Sequence, residues 1–521
     1  MLQAAAAAAA TVGSLHAWAG RAVAAADAAS LLGGGAAQAA SASSLLERQL
    51  DERLTEFTLP NGLRFLVFER RAAPIASFHI YADVGAFDEE DGQTGLAHLL
   101  EHMAFKGTPR IGSRDYRQEA PLLEALDETF YELQGAGSGP GAARLQQQLE
   151  ALQRQAAALS VPNAYGALLQ QEGGVGLNAA TSHDATKYYV SLPANKAELW
   201  FAMEADRFQQ PVFRELYSEK RVVLEERRLR VDNSPLGPFS EAFALASLSN
   251  NYRRPVIGYP EDIERLGRRE VQAFFQRHYG PANLTIAVAG DVRPAEIRRL
   301  AEQYFGGWRS DAQPPSSCAG SSAYGVEALA APLVPKEEWQ YRAKSRAGPA
   351  LMHAYYRPCV RHPDSLTLDL ASDLLSGTRS SRLYRSLVLN NKALTAASYS
   401  SYPADKYPTT FSIYSIPPKG GSLDQLDSLV SAEVAALAES GPSAEELLRY
   451  KKGARMELLD ALGSNTALAG ALATYQALSG DWRAVLTDLQ RIEALQPGEV
   501  RDACQRWLRP DNCFRGFVLP M

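Results

Sequence analysis

Apolar residues dominate 57–68 on both sides of Pro60, Asn61 and Gly62, which predicts two strands joined by an Asn-Gly turn. Residues 76–84 and 283–291 predict further strands. Helical periodicity runs through 121–133, breaks at the glycine-rich stretch 135–141, and resumes over 143–155 with Leu145, Leu149 and Leu152 in register. This spacing predicts a helical hairpin inserted at about 119–172. Residues 213–230 read as a charged amphipathic helix. The stretch 173–193 starts with glycines and turns into a strand of β-branched and aromatic residues. A linker rich in proline, serine and other small residues is expected at 311–335. A second mixed unit begins at 351–357, followed by helices such as one at about 366–376. The expected class is α+β, with an N-terminal domain at 50–310 and a C-terminal domain at 336–521.

Chemistry concentrates in one place, His98-Leu99-Leu100-Glu101-His102. Two imidazoles four residues apart on a helix diverge by only about 40°, so both reach one metal ion. Glu101 lies on the same side, where it points at a water on that ion without ligating the metal. Imidazole pairs suit zinc, and a catalytic zinc keeps a position open for water. The third ligand is expected from 213–230, whose candidates are Glu219, Glu225 and Glu226. Residues seven apart are nearly in phase, so Glu219 and Glu226 share a face while Glu225 is turned about 100° away.

The order His-x-x-Glu-His marks inverzincins, and its flanks, 95–97 and 103–108, resemble those of pitrilysin-type zinc metallopeptidases. That family includes insulin-degrading enzyme and organellar processing peptidases. The family's Glu-x6-Glu pattern falls on Glu219 and Glu226, which implies Glu226 as ligand and Glu219 as the support holding its carboxylate. Asn178-Ala179-Ala180-Thr181 is similar to the family's substrate-side element on a sheet edge. It implies Asn178 against a peptide backbone, with Ala179 leaving room, the substrate adding as a strand. His183 is expected to be a solvated turn residue and His79 a structural one. The implied chemistry is one zinc per chain acidifying a water, with Glu101 taking its proton and passing it to the leaving amine. The resemblance spans about 50–515 and implies two related halves forming half of a clam shell. No match to a substrate-positioning Arg and Tyr is evident in 408–421, and Ser381-Arg382-Leu383-Tyr384 is read as packing. A second family subunit or a second copy is therefore expected to complete the chamber. The alternative function is a non-catalytic subunit acting as a scaffold or partner.

Composition adds limits. The 46% hydrophobic and 21% charged shares are those of a globular protein, and a net charge of −6 leaves no basic footprint for nucleic acid. Arg227, Arg228 and Arg230 are read as a solvated helix face. Four cysteines lack any zinc-like spacing and imply no disulfide scaffold. No run after the leader is long and apolar enough to span a bilayer. Residues 1–48, rich in alanine and serine and poor in acids, are expected to be a targeting leader. A plastid address fits them best, and the bacterial periplasm is the alternative.

Overall fold

The computed structural model describes residues 50–310, 312, 340–345 and 348–521. The expected leader and most of the expected linker, Cys318 included, lie outside those residues. The first half contains β1 (Leu54–Thr58), β2 (Arg64–Glu69), β3 (Ile75–Ala82), α1 (Leu96–Met103), α2 (Tyr116–Gly135), α3 (Pro140–Leu159) and α4 (Ala164–Gln171). It continues with β4 (Val175–Thr181), β5 (Thr186–Pro193), α5 (Ala197–Gln209), α6 (Leu216–Arg227), α7 (Gly237–Ser247), α8 (Pro260–Arg265), α9 (Arg268–His278), β6 (Leu284–Gly290) and α10 (Pro294–Phe305). The second half holds β7 (Gln340–Ser345), β8 (Ala350–Arg357), α11 (Ser365–Ser372), β9 (Thr395–Tyr402) and β10 (Thr409–Ile416). It closes with α12 (Leu423–Ser440), α13 (Ala444–Gly463), α14 (Asn465–Ser479), α15 (Ala484–Ala494), α16 (Pro497–Trp507) and β11 (Cys513–Pro520).

The duplication is plain in topology. Beyond the edge strand β1, the first sheet runs β2-β6-β3-β5-β4, and the second runs β7-β11-β8-β10-β9. In each, the first strand lies parallel to the last and every other neighbour is antiparallel. Alternation sends Phe78 and Ile80 of β3 to one face and Tyr81 to the other. The first face packs on α1, α5 and their neighbours in a core that includes Trp200, Phe201 and Phe65.

The opposite faces are covered by exchange. Leu468, Leu472 and Ala473 of α14 cover Leu66, Tyr81 and Ala287 of the first sheet. Phe239 and Phe243 of α7 cover Met352, Ala354 and Phe514 of the second. Each half thus supplies a helix the other needs to bury its sheet.

Polar groups lock the seam. Asp184 accepts from the amides of Asp405 and Lys406 at 3.1 and 3.0 Å and from the Tyr252 hydroxyl at 2.5 Å. Lys406 Nζ meets Asp83 Oδ1 at 2.6 Å with both side chains 7% exposed. Burial pushes Asp83 up against the pull of that lysine, while Asp83 holds the ammonium well above its usual range despite burial. Removing one partner strands the other charge. Asp83→Ala is therefore expected to lower stability by about 3–5 kcal/mol, read from the urea midpoint. A loss under about 1 kcal/mol would show that the pair does not hold the seam.

Candidate metal centre

The helix that carries both motif histidines starts at Gly95, whose φ of +89° and lack of Cβ matter, since a Cβ there would sit 2.5 Å from the Ile257 carbonyl oxygen. No side chain of its own caps α1. Glu89, 2% exposed, accepts instead from the amides of Gly95 and Ala97 at 2.9 and 2.8 Å. Burial pushes that carboxyl up to about 8 although both amides and Arg254 favour its charge.

α6 packs against α1 and brings Glu226 to the histidines. Its Oε2 stands 3.6 Å from His98 Nε2 and 3.3 Å from His102 Nε2. One donor atom from each of the three residues falls within 4.8 Å of the others. Tetrahedral zinc with donors at ~2.0–2.1 Å separates those donors by roughly 3.3–3.5 Å. The two imidazole-to-carboxylate distances are close to that separation, and two imidazole nitrogens with one carboxylate oxygen are a donor set that suits zinc.

The surroundings orient two of the three donors. His102 Nδ1 meets Glu219 Oε1 at 2.9 Å, which turns Nε2 toward Glu226. Glu219 thus holds the imidazole, not the Glu226 carboxylate expected from the sequence. Glu226 is steadied by Arg230, one helical turn on, at 2.9 Å from its Oε1. His98 Nδ1 is buried without a hydrogen-bond partner among the described residues. Glu101 Oε2 accepts from the Thr181 hydroxyl at 2.5 Å.

The charges follow from this packing. Burial and the neighbouring His102 depress His98 to about 4. At His102, burial acts downward, yet Glu219 and Glu226 raise it to about 9. Glu219, pushed up by burial, is drawn down to about 2 by His102 and Lys106. The hydrogen bond from His102 lowers Glu226, and burial raises Glu101 against the pull of Thr181.

The remaining expectations divide. Asn178 is exposed and Ala179 buried on β4, an edge strand paired, among the described residues, with β5 alone. Residues 179 and 181 share the face toward α1, whereas Asn178 is on the opposite face, its Oδ1 accepting from the Ala179 amide. His183 is buried, not solvated, because its ring packs on Tyr252 and Nε2 donates to the Arg254 carbonyl. Arg227 likewise leaves the solvated face, buried with a two-pronged bond to Glu241, while Glu225 and Arg228 are exposed. Thr181, Lys106 and Glu215 were not singled out as site residues. The period-two phase of β4 and the i+4 spacing of Lys106 from His102 were the available signals.

Comparison with known proteins adds the context. The family model described as Insulinase (Peptidase family M16) matches 65–125 and 156–255, and the Peptidase M16 inactive domain matches 265–454. The unmatched stretch between the first two segments lies within α2 and α3. Zinc protease PqqE of Helicobacter pylori is 24% identical over 83% of this chain and 85% of its own length. A probable mitochondrial-processing peptidase subunit beta of Arabidopsis thaliana is 25% identical over 51% of this chain and 42% of its own. The crystal structure of a protease from Helicobacter pylori superposes with a TM-score of 0.71 at 20% identity, covering 90% of this chain and 99% of that one. The periplasmic protease PqqL of Escherichia coli matches with a TM-score of 0.60 at 19% identity, over 90% of this chain but 48% of its own. Two matching models that together take in most of the chain, on a duplicated α+β fold, make it a member of the M16 (pitrilysin-type) peptidase family.

Proposed function

We propose that the chain is a zinc-dependent metalloendopeptidase that hydrolyses peptides or presequences enclosed in a chamber. The observation that carries this reading is the convergence of His98 Nε2, His102 Nε2 and Glu226 Oε2 beside Glu101. These three atoms would hold the zinc. When bound there, zinc would supply an acidified water and a Lewis acid for the scissile carbonyl. Glu101 acts as general base and then general acid, taking a proton on its carboxylate and passing it to the leaving amine. Its perturbation by burial suits that exchange, and the Thr181 hydroxyl keeps the carboxylate aimed.

The substrate lies along the edge of β4 that has no strand partner among the described residues and pairs through its backbone, a mode largely indifferent to sequence. Asn178 meets it from the outer face of that edge. Among the described residues no helix is long and apolar enough to cross a membrane. The second half of the chamber comes from another family subunit or a second copy, a reading supported by the match to only about half of the longer PqqL chain. The alanine- and serine-rich first 48 residues support a plastid address.

Metal analysis and peptide cleavage test the core of the proposal together. Wild type is expected to hold one zinc per chain and cleave unstructured peptides, and Glu101→Gln to keep the zinc and lose at least about 100-fold in kcat. His98→Ala, His102→Ala and Glu226→Ala are expected to lose both. A wild-type protein without zinc after equilibration would end the enzyme reading.

Thr181→Val removes a hydrogen bond to the charged form of Glu101, so its pKa rises further. The acid limb of the kcat/KM profile is expected to move to higher pH at unchanged zinc content. An unmoved limb would show that Thr181 does not act on the base.

A further inference from the structure

The inserted helical arm and the metal centre share one pair of residues. Arg214 and Glu215 stand immediately before α6, the helix that carries Glu219 and Glu226. Glu215 has a φ of +62°, a left-handed conformation unusual for a residue with a long side chain. Arg214, 1% exposed, grips Glu119 in the first turn of α2 through both carboxylate oxygens, at 2.9 and 3.1 Å. It also donates to the carbonyls of Lys106, Thr108 and Ile111, just beyond α1. Glu215 accepts from the hydroxyl of Ser160, the residue that ends α3, at 2.8 Å. Both roots of the arm therefore meet at the N-terminus of the helix bearing the proposed ligand.

The same pair reaches the imidazole. Lys106 Nζ lies 3.0 Å from Glu215 Oε2 and 2.6 Å from Glu219 Oε2. The other oxygen of Glu219 meets His102 Nδ1. An unbroken line of bonds runs Ser160, Glu215, Lys106, Glu219, His102. A lysine has a flexible four-carbon stem and no preferred fork, so something must hold its ammonium still. Here Glu215 does, and its own backbone strain is offset by the two bonds its side chain makes.

Resting on the zinc reading above, we infer that Lys106 and Glu215 are positioning residues of the metal centre, tying the helical arm to the orientation of His102. Without the Lys106 ammonium, Glu219 keeps one partner instead of two, and the imidazole it steers gains freedom. Without the Glu215 carboxylate, Lys106 and Ser160 both lose their anchor and the start of α6 relaxes. Groups that orient metal ligands commonly contribute 10–100-fold to affinity. Because such coupling is reciprocal, zinc binding also steadies the arm's roots.

The test is zinc affinity by chelator competition for wild type, Lys106→Met, Lys106→Arg, Glu215→Ala, Ser160→Ala, Glu219→Gln and the Lys106→Met/Glu215→Ala pair. Thermal unfolding of the zinc-free proteins is followed alongside. Lys106→Met and Glu215→Ala are expected to bind zinc about 10-fold or more weakly. Ser160→Ala should shift in the same direction by less, and Lys106→Arg should stay near wild type. The double variant should lose no more than the larger single loss, since both residues act through one line of contacts. The zinc-free Lys106→Met protein should unfold at nearly the wild-type temperature. Wild-type affinity in Lys106→Met while Glu219→Gln is weakened would overturn the inference. So would additive losses in the double variant, or equal losses in the Met and Arg variants. A wild-type chain that binds no zinc is a separate outcome, which removes the metal reading itself and this inference with it.

Discussion

One carboxylate oxygen organises this molecule's chemistry. Glu226 Oε2 lies 3.6 and 3.3 Å from two imidazole nitrogens contributed by a helix more than a hundred residues earlier. Burial disfavours charge on His98 and on any uncompensated carboxylate. The cost is met by placing compensating charge around the centre. Glu219 balances His102, Lys106 balances Glu219, and Arg230 balances Glu226. The result is a site in which His102 and Glu226 are oriented by their neighbours before any ligand arrives.

That orientation depends on the fold around it. Each half of the duplicated chain buries one face of its sheet under its own helices and the other under a helix from its twin. The exchange ties the two halves together through apolar contacts and through the polar seam at Asp83, Asp184 and Lys406. Only the first half carries the motif. The helix that follows β8, α11, occupies the place α1 takes after β3 and carries no histidine. Duplication supplied two similar frames, and one of them holds the donor set.

Much of the architecture was legible in the sequence. The Asn61-Gly62 turn, the helical hairpin and the charged helix ending near Arg230 announce themselves through local pattern. The His98 to His102 spacing, with Glu226 in phase with Glu219, carried the geometry of the donors because helical phase is a local property. What the pattern did not reveal depends on neighbours distant in sequence. Glu219 meets His102 instead of Glu226 because α6 packs against α1. His183 and Arg227 are polar residues in polar stretches, and each is buried with a bond to a backbone carbonyl of the 250–258 segment. The duplication itself was faint along the chain, since strand order survives substitution far better than side chains do. The role of Arg214 and Glu215 as the meeting point of the arm's roots has no local signature at all.

The account stands or falls on where the metal sits. Anomalous X-ray scattering at the zinc edge from crystals of the zinc-equilibrated protein measures this directly. A single strong peak is expected, bounded by His98 Nε2, His102 Nε2 and Glu226 Oε2 at about 2.0–2.2 Å. A peak held by other residues, or none between α1 and α6, would contradict it.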